Sequence, residues 1–545
     1  MKILFIIFWL IISSRVILFY IYLWQLKEYQ VKRFIDHFRT EKGKNLFVNQ
    51  VFFLKIFLLA GLLFFSNNQS IPSQKFFAPL VLWITFAFFF LLTLHAFLRI
   101  GQGKIKHPVF TKKTIVLSAA GALAEVILLL FILQIENLYN FAILLLLSNV
   151  LMPLVATLVV LAFQPFAVFF KRRFLKKAIA KRGKYPDLKV VGITGSYGKT
   201  STKEILSIIL AGKFNVLKTK EHQNSEVGIS RCILEELNDD HQVFVAEMGT
   251  YGQGGIKLLA DMVQPQIGML AGINEQHLSL FGSIDKTTKA KYELIESLPQ
   301  EGLAVFNGDN ERCRKLYEMT KLPKKIYTIL KNEVSDIWAE EITVERNFLY
   351  FTVCTKEGEK ADFRVNLLGK HNIPNILGSV LVAKHLGMSL EETAKEAKNI
   401  RESQGALQFL NGTRGLNVLD ASYSANPHGV IGDLEYLNNL SGKKIIIMPC
   451  LIELGKRSKE IHKEIGKKIA ETCDLAIITT KERFSDVQEG AQEQGMGKDK
   501  VLFIGNVEEI LRRLEIFAVP GDIILLEGRV PASLKEGLTK TEHNA

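Results

Sequence analysis

The run "GITGSYGKTSTKE" (residues 192–204) places a lysine and three hydroxyl side chains directly after a glycine-rich turn. Glycines allow backbone N–H groups to approach phosphate oxygens at the start of a helix, and a lysine neutralises terminal phosphates. The eight-residue Walker pattern would need glycine at position 193, which is isoleucine, so this loop is a more compact form. We predict an ATP phosphate site in which the Thr200 hydroxyl can bind Mg²⁺. Its predicted residues are Gly195, Ser196, Tyr197, Gly198, Lys199, Thr200 and Ser201.

The loop must be positioned by the strands and helices that the sequence predicts from Lys189 onward. Short apolar runs alternate with amphipathic runs such as "SKEIHKEIGKKIAETC", a pattern typical of parallel sheets covered by helices on both faces. Between 342 and 368 the pattern alternates, as in "ITVERNFLYFTV", and predicts an antiparallel hairpin insert. The charge-rich residues 399–404 mark a boundary between a central domain at 189–402 and a C-terminal domain at 403–545. The predicted strands are residues 189–194, 242–249, 266–273, 303–308, 443–449, 474–480, 500–505 and 522–528.

Five apolar runs precede this α/β part, at residues 3–24, 51–65, 76–98, 114–134 and 141–170. A helix needs about 20 apolar residues to cross the hydrocarbon core of a bilayer. The second run is short and contains Lys55, and the fifth is long and contains Pro153 and Pro165. We predict an α-helical transmembrane region of about five spans at residues 1–170, followed by a basic juxtamembrane linker at 171–188.

The distribution of charge predicts how these spans are oriented. Residues 25–50, 99–113 and 171–189 are rich in Lys and Arg, whereas residues 66–74 and 135–140 contain neither. Five crossings place every basic loop on one side, as the positive-inside rule requires. The chain is therefore predicted to be a multi-pass protein of the cytoplasmic membrane, with its catalytic domains in the cytoplasm. Arg15, His95 and Glu125 lie inside apolar runs and form either a polar site between helices or interhelical pairs.

Composition argues against other classes of protein. Residues 1–189 contain 24 Lys and Arg against 6 Asp and Glu, while the remainder contains 44 against 49. The α/β part shows no basic patch with interleaved aromatic residues, so we expect no nucleic-acid partner. Its five cysteines are scattered and include no CxxC pair, which indicates reduced thiols in a cytoplasm.

A series of further motifs follows the phosphate loop. They are "NSEVG" (224–228), "AEMG" (246–249), "EQHLSLFGS" (275–283), "KAKYELIE" (289–296), "FNGDN" (306–310), "GKHNIPN" (369–375), "DASYSANP" (420–427), "IELG" (452–455) and "GDIILLEG" (521–528). Over about residues 189–530 the chain resembles the Mur ligases, which form amide bonds of peptidoglycan with ATP. The resemblance implies a P-loop central domain and a Rossmann-like C-terminal domain. Within the family, "SYSANP" and "IELG" are similar to the members that add D-alanyl-D-alanine.

The resemblance also implies roles for individual residues. The implied catalytic residues are Lys199, Glu247, His277 and Lys291. Glu247 would hold Mg²⁺ with Thr200, while His277 and a carbamylated Lys291 would contribute to a second Mg²⁺. Taken singly, Glu247 could instead cap a strand end and Lys291 could be a solvated helix residue. The implied nucleotide contacts are Asn307, Asn372, Asn375 and Asp420, and the implied substrate contacts are Asn224, Ser225, Tyr423 and Asn426.

The chain departs from the family pattern at several positions. Ala406 stands where an arginine is expected, and Ala421 replaces one of two paired aspartates. Ser424 replaces an asparagine, and Glu527 replaces a lysine. The family's N-terminal UDP-binding domain has no counterpart in the sequence, and the predicted membrane helices occupy its place. These departures bear on domain closure and acceptor choice more than on ATP use.

The sequence therefore predicts a membrane-held, ATP-dependent acid–amino-acid ligase that uses ATP and Mg²⁺. It would act through an acyl phosphate, because a carboxylate and an ammonium do not condense in water. The predicted reaction adds D-Ala-D-Ala or a similar amino acid or dipeptide to a muramoyl peptide, which is either UDP-linked or lipid-linked. Membrane lipid is a further predicted partner. Two alternatives stay open: a Mur-type poly-amino-acid ligase, and a membrane-tethered pseudo-ligase that binds nucleotide as a scaffold.

Overall fold

The computed structural model describes residues 1–38, 41–67, 72–103, 105–221, 223–275, 278–345, 348–401, 407–423 and 425–539. The chain forms two compact units, Met1–Lys171 and Arg172–Ala545. The described part of the first unit is helical, and the second contains two mixed sheets with helices between their strands. The predicted order, a helical region followed by an α/β region, is confirmed at this level.

Seven helices begin in the described part of the first unit. They are α1 (Lys2–Leu26), α2 (Val31–His37), α3 (Glu41–Phe47), α4 (Gln50–Asn67), α5 (Pro72–Gly101), α6 (Lys112–Leu133) and α7 (Leu138–Arg182). Five helical segments of the described chain, in α1, α3–α4, α5, α6 and α7, are long and apolar enough to cross a membrane. Each predicted apolar run lies in one of these five segments.

Helix α7 contains most of the basic stretch that was predicted to be a juxtamembrane linker, so this stretch is helical up to Arg182. The helix has 45 residues and includes Pro153 and Pro165. Lys and Arg are good helix formers, and the apolar Leu175 and Ala178 recur at helical spacing. Both side chains are buried in a core cluster of the second unit. The Arg182 side chain donates hydrogen bonds to the backbone oxygens of Val263 (2.9 Å) and Tyr185 (2.5 Å).

Polar side chains inside the helical unit form interhelical hydrogen bonds. Ser14 Oγ on α1 donates to Glu125 Oε2 on α6 at 2.8 Å, and Glu125 is buried. Lys55 Nζ on α4 donates to Asn149 Oδ1 on α7 at 2.7 Å. Of the two alternatives for the polar residues in the apolar runs, interhelical pairing therefore describes Glu125. Arg15 has no such hydrogen bond or ion pair among the described residues.

The larger sheet of the second unit has nine strands in the order β2-β3-β1-β4-β5-β6-β7-β8-β9. Its strands are β1 (Lys189–Thr194), β2 (Val216–Lys218), β3 (Val243–Glu247), β4 (Ile267–Leu270), β5 (Leu303–Asn307), β6 (Lys324–Tyr327), β7 (Ile337–Val344), β8 (Leu349–Thr355) and β9 (Lys360–Val365). The strands from β2 to β7 pair in parallel, and β7, β8 and β9 pair in antiparallel fashion. The hairpin insert is thus confirmed, and it is extended by a third strand.

Helices cover both faces of this sheet. They are α8 (Lys199–Leu210), α9 (Glu226–Glu236), α10 (Gly255–Val263), α11 (Leu278–Phe281), α12 (Ile284–Glu296), α13 (Glu311–Met319), α14 (Ile373–His385) and α15 (Leu390–Ala397). Successive strand residues point to opposite faces, so Val190 packs with Leu294 of α12 while Val191 packs in the cluster of Ile205 of α8. The sheet is therefore apolar on both sides, as its continuous hydrophobic strands predicted.

The second sheet has six strands in the order β10-β11-β15-β12-β13-β14, with only the β10–β11 pair antiparallel among the described strands. The strands are β10 (Gln408–Asn411), β11 (Asn417–Ala421), β12 (Lys444–Met448), β13 (Leu475–Ile478), β14 (Val501–Phe503) and β15 (Ile523–Glu527). The helices are α16 (Pro427–Asn438), α17 (Ser458–Thr472), α18 (Phe484–Glu493), α19 (Val507–Phe517) and α20 (Ala532–Leu538). This sheet builds the C-terminal part of the unit.

The register of the larger sheet brings several motif residues to one edge. Ile193 on β1 is opposite Glu247 on β3, and Thr194 is opposite Leu270 on β4. On the next strand, Leu270 is opposite Phe306 of β5. Parallel strands end at the same edge of a sheet, and ligands of open α/β sheets bind outside the carboxyl ends of the strands. The phosphate loop and the ends of β3, β4 and β5 therefore surround one site.

Candidate active site

The phosphate loop turns sharply between β1 and α8. Gly198 has φ of 78° and is the N-cap of α8, which has no side-chain cap. A Cβ atom on Gly198 would lie 2.8 Å from Asn375 Oδ1, and one on Gly195 would lie 2.9 Å from the Gly272 oxygen. Both positions therefore need glycine, because of close approach in each case and of a positive φ at Gly198. The uncapped start of α8 leaves its first backbone N–H groups available for an anion.

Lys199 is the first residue of α8 and is partly buried, whereas the sequence pattern alone allowed an exposed loop residue. Its Nζ donates to the Ser196 oxygen at 3.3 Å. Burial lowers the pKa of Lys199, and the carboxylate of Glu247 opposes that shift. The ammonium group is thus held beside the loop, at the edge of the sheet where Glu247 also lies.

Thr200, Glu247 and Asn224 form a hydrogen-bonded cluster. The Thr200 hydroxyl donates to Glu247 Oε2 at 3.0 Å, and Asn224 Nδ2 donates to Glu247 Oε1 at 2.9 Å. Glu247 is only 5% exposed at the end of β3. The structure therefore brings a predicted substrate residue into contact with a predicted metal residue. Ser225, in contrast, uses its hydroxyl to cap α9 by accepting from the Gly228 N–H.

Lys203 is a functional candidate that the sequence analysis missed. It is fully buried one turn after Lys199 on α8. Its Nζ lies 3.0 Å from Glu204 Oε1 and 3.6 Å from Glu247 Oε2. Residues four apart on a helix share a face, so the spacing of the two lysines in "KTSTK" was the available signal. Lys203 therefore places its ammonium group next to the Glu247 carboxylate.

Lys291 lies in the middle of α12 and is 4% exposed, so the alternative of a solvated helix lysine does not describe it. Its Nζ lies 5.8 Å from the centroid of the Phe281 ring. Burial lowers the pKa of Lys291 to about 7, assisted by the positive charge of Lys199 and opposed by Glu293 and Glu247. At neutral pH a large fraction of this amine is therefore uncharged. The other predicted residue for the second metal, His277, lies outside the described residues.

The three asparagines implied as nucleotide contacts are tied to the loops around the site. Asn307 Nδ2 donates to the Ala271 oxygen at 2.8 Å, and Asn372 Nδ2 donates to the Leu368 oxygen at 2.7 Å. Asn375 Oδ1 accepts from the Thr202 hydroxyl at 3.2 Å and approaches Gly198 of the phosphate loop. These bonds give Asn307 and Asn372 a positioning role and leave Asn375 nearest to the phosphate loop.

The C-terminal domain contributes residues to the same site through the start of α16 and the segment before it. The His428 ring stacks on Tyr197 of the phosphate loop, with centroids 4.9 Å apart. Asn426 caps α16 and accepts from Asn274 Nδ2 at 3.3 Å. Burial raises the pKa of Tyr423, and the charges of Glu221 and Glu247 add to the rise. Sequence reasoning predicted Tyr423 and Asn426 but missed Asn274 and His428.

Asp420 lies at the end of β11 and forms an ion pair with Lys535 of α20. Its Oδ1 also accepts from the Ser422 N–H at 2.9 Å. No hydrogen bond or ion pair joins Asp420 to the phosphate loop within the described part of the chain. The role of Asp420 as a nucleotide contact therefore stays a prediction. Ala406 and Ser424, two of the departures from the family pattern, lie outside the described residues.

Glu527, another departure, forms part of a buried acidic pair with Asp433. Glu527 is 1% exposed, and its Oε2 has no hydrogen-bond partner among the described residues. His371 Nε2 lies 3.9 Å from Asp433 Oδ1. Burial and the Asp433 carboxylate raise the pKa of Glu527 well above its usual value of 4.5. Two acids in one desolvated place cannot both ionise readily, so one proton stays with the pair.

Replacing Glu527 by glutamine is expected to flatten the dependence of stability on pH. Between the usual pKa of 4.5 and the raised folded-state pKa, the folded protein binds more protons than the unfolded chain. The free energy of unfolding of the wild type should therefore fall as pH rises through this range, and Glu527→Gln should not show that loss. Melting temperatures of both proteins between about pH 5 and pH 8 test this. Glu508→Gln, at an exposed site on α19, is the control, and parallel curves for the wild type and Glu527→Gln would contradict the prediction.

The predicted metal residues fit a magnesium site in their chemistry. The Thr200 hydroxyl and the Glu247 carboxylate are hard oxygen ligands already in contact with each other. No group of three or more His, Cys, Asp and Glu side chains suited to a metal occurs within the described ranges. The predicted set does not need such a group, because Thr200 is a hydroxyl ligand, Lys291 would ligate as a carbamate, and His277 lies outside those ranges. Glu247 and Thr200 are thus the described residues that could hold the ion.

Comparison with known proteins gives family matches for both sheets. The profile of the Mur ligase middle domain matches residues 193–383, and the profile of the Mur ligase, glutamate ligase domain matches residues 407–530. The UDP-N-acetylmuramoyl-tripeptide–D-alanyl-D-alanine ligase of Bacillus subtilis (strain 168) is 26% identical over 351 residues, which cover 64% of this chain and 74% of that protein. The Escherichia coli (strain K12) enzyme of the same name is 26% identical over 361 residues, or 65% and 77%.

Solved structures give a matching result. A crystal structure of MurF from Acinetobacter baumannii has a TM-score of 0.59 and 27% identity, covering 66% of this chain and 77% of that one. MurF ligase from Thermotoga maritima in complex with ADP has a TM-score of 0.58 at 24% identity, covering 66% and 80%. The second likeness concerns the fold alone.

Proposed function

Because this chain belongs to the Mur ligase family, with the middle domain at residues 193–383 and the C-terminal domain at 407–530, we propose that it ligates D-alanyl-D-alanine to a muramoyl peptide of a peptidoglycan precursor, using ATP. The relatives named for this reaction share about a quarter of their residues with it over most of its α/β part. The observation that carries the proposal is the contact of Thr200 with Glu247 beside Lys199 at the uncapped start of α8. This arrangement suits a phosphoryl transfer, in which the negative charge of the transferred group must be neutralised by groups already in position.

The reaction has two steps whose atoms balance. A carboxylate oxygen of the precursor attacks the γ-phosphorus of ATP, ADP leaves, and an acyl phosphate forms. The amine nitrogen of the dipeptide then attacks the carbonyl carbon, phosphate leaves, and the nitrogen loses a proton as the amide forms. In the first step the N–H groups of α8 and the Lys199 ammonium hold the phosphates and offset their negative charge. Two Mg²⁺ ions, one held by Thr200 and Glu247 and a second held by His277 and carbamylated Lys291, would supply further charge neutralisation.

Residues at the start of α16 close the site around the phosphate loop. Stacking of His428 on Tyr197 and the hydrogen bond from Asn274 to Asn426 join the two domains at this point. Tyr423 and Asn224 are proposed to contact the muramoyl peptide. The position of Asn224 next to Glu247 would align the carboxylate of the precursor with the γ-phosphate, which is the geometric requirement of the first step.

A product assay tests the proposed reaction directly. The purified full chain is incubated with muramoyl tripeptide precursor, D-Ala-D-Ala and ATP, and the products are identified by mass. The expected product is the precursor extended by one dipeptide, with ADP formed in equal amount. Repeated addition of one amino acid would favour a poly-amino-acid ligase instead. Nucleotide binding without product or precursor-dependent ADP would favour a pseudo-ligase, and either result would overturn the proposal.

We further propose that the five apolar helices cross the cytoplasmic membrane, with the ligase domains at its cytoplasmic face. The division remains a transmembrane region at 1–170, a basic stretch at 171–188, and ligase domains at 189–402 and 403–545. The exposed basic residues of this stretch would each contribute about 1 kcal/mol next to an anionic leaflet, and they are Arg172, Arg173, Lys176, Lys177, Lys184 and Lys189. Confinement to this surface raises the effective concentration of a precursor that is itself in the membrane. We therefore propose a lipid-linked substrate, the alternative being the ordinary UDP-linked form.

Comparing the full chain with a truncated protein that begins at Arg172 tests the lipid-linked substrate. This start retains Leu175 and Ala178, which a start at Tyr185 would remove from the core of the ligase unit. We expect the full chain in nanodiscs to use the lipid-linked precursor at least about tenfold faster than the truncated protein, because tethering raises effective concentration. Product formation is measured by mass with the UDP-linked and lipid-linked forms in parallel. Equal, efficient use of the UDP-linked form by both proteins, with none of the lipid-linked form, would contradict the proposal.

A further inference from the structure

A cavity of about 510 Å³ lies among α1, α5 and the segment between α5 and α6. Its apolar lining includes Ile11 and Leu18 of α1 and Ala96 and Ile100 of α5. Its polar lining consists of Ser14, Arg15, Lys106 and His107. An apolar wall beside a group of basic side chains can bind a lipid whose head group is negatively charged.

Arg15 is the residue that needs an explanation in this cavity. It lies in the middle of α1, one of the helices apolar enough to cross a membrane, where a charged side chain is costly unless it has a partner. The carboxylate on the neighbouring helix, Glu125, accepts a hydrogen bond from Ser14 and forms no ion pair with Arg15. Lys106 and His107 likewise form no ion pair with any acidic group in the described part of the chain. The basic groups of the cavity are therefore not neutralised by any acidic side chain in the described part of the chain.

We propose that this cavity binds the diphosphate that joins the muramoyl peptide to its carrier lipid. The hydrocarbon chain of that lipid would lie along Ile11, Leu18 and Ile100, and the phosphate oxygens would accept from Arg15, Lys106 and His107. Charge favours this occupant over a bulk phospholipid. A phosphodiester carries one negative charge, whereas a bridging diphosphate carries about two, which matches the charges of Arg15 and Lys106 with His107 as a further donor.

The position of the cavity along the helices agrees with a bound lipid phosphate. Residues 99–113 are on the side where the positive-inside rule places the basic loops, which is the proposed cytoplasmic side. Gln25 at the end of α1 bonds to Val109 there in both directions, at 3.0 Å and 2.8 Å, so the segment that carries Lys106 and His107 is anchored to α1. The phosphate would thus be held on the side where ATP is available. The inference rests on the proposed membrane placement and lipid-linked substrate.

The test measures binding without ATP, so that it is separate from ligation. The full chain is placed in phosphatidylcholine nanodiscs that contain a polyprenyl diphosphate, and bound lipid is counted by native mass spectrometry. We expect Arg15→Gln to weaken binding at least about tenfold, because it removes a charge-assisted hydrogen bond. Lys106→Gln, outside the helices, should weaken binding without disturbing insertion. Lys112→Gln is the matched control, since Lys112 is exposed at the start of α6, does not line the cavity, and should bind as the wild type does.

Three outcomes would overturn the proposal. The first is unchanged binding in both Arg15→Gln and Lys106→Gln. The second is displacement of the diphosphate lipid by an equal amount of phosphatidylglycerol, which would make the cavity a bulk phospholipid site. The third is equally tight binding of free pyrophosphate, which would remove the lipid from the interaction. Ligation of a UDP-linked precursor by the same variants is measured separately, so that loss of the ligase reaction is distinguished from loss of lipid binding.

Discussion

Replacing Lys199 by alanine is expected to abolish ligation while leaving the fold nearly intact. The Lys199 ammonium lies at the start of α8, beside the loop that we propose holds the phosphates of ATP. Its removal leaves the charge that develops during phosphoryl transfer without this donor. Loss of one preorganised donor of this kind typically costs about 10²–10³-fold in turnover. Burial lowers the pKa of Lys199, so its loss also relieves a desolvated charge and should cost the folded state little.

Two measurements separate catalysis from folding in this experiment. Ligation is followed by the mass of the product, and the melting temperature reports the fold. Lys315→Ala is the matched control, because Lys315 is 68% exposed on α13 and pairs only with Glu311 one turn away. The control should retain full turnover. A folded Lys199→Ala protein that ligates normally would remove the phosphate-loop argument, and a large fall in its melting temperature would show that Lys199 has a structural role.

The parts of the site that could be predicted from sequence are those whose chemistry is local. The phosphate loop is one continuous segment, and β1 has the predicted bounds because an apolar run ends at a glycine turn there. Glu247 was implied by the family resemblance, and the structure places it at the end of the apolar strand β3. Short strands such as β2 and β6 were not predictable, because three or four residues carry no period.

Contacts between distant segments had no comparable signal. The stack of Tyr197 on His428 joins a loop of the central domain to the C-terminal domain, and neither residue indicates the other. Lys203 lies close to Glu247, which is distant in the sequence and becomes its neighbour only when β3 pairs with β1. Sequence patterns indicate which residues lie on an element, whereas the pairing of elements decides which of them meet.

The basic stretch after residue 170 and the acid at 527 illustrate two further limits of prediction from sequence. Charge favours an exposed segment in a sequence reading, but a helix can present Lys and Arg on one side and bury Leu175 and Ala178 on the other. A departure from a family motif shows where a change occurred but not its surroundings. Only the structure shows that Glu527 lies against Asp433, near His371, and is desolvated.

Replacing Lys291 by alanine is expected to lower turnover by about a hundredfold or more, the size of effect expected from losing a preorganised catalytic group. An ordinary lysine is a cation at pH 7 and a poor metal ligand. Burial and the charge of Lys199 lower the pKa of Lys291 to about 7, so a large part of it is a neutral amine that can attack CO₂. The N–C bond forms, one proton is released, and a carbamate replaces the ammonium. This change turns the repulsion between Lys291 and Lys199 into attraction, which favours the modified state.

The pKa of Lys291 also sets the direction of a pH effect that distinguishes carbamylation from a purely structural role. As pH falls below about 7 the amine becomes protonated, carbamylation is lost, and turnover of the wild type should fall, with partial recovery on adding bicarbonate. Short carboxylates should rescue Lys291→Ala, and Lys291→Arg should stay inactive because a guanidinium cannot form the carbamate. Lys289→Ala is the matched control, two residues earlier on α12 and exposed, and should behave as the wild type. Full activity of Lys291→Ala, or an unmodified Lys291 in a high-resolution map of an active crystal with ATP, would rule out the assignment.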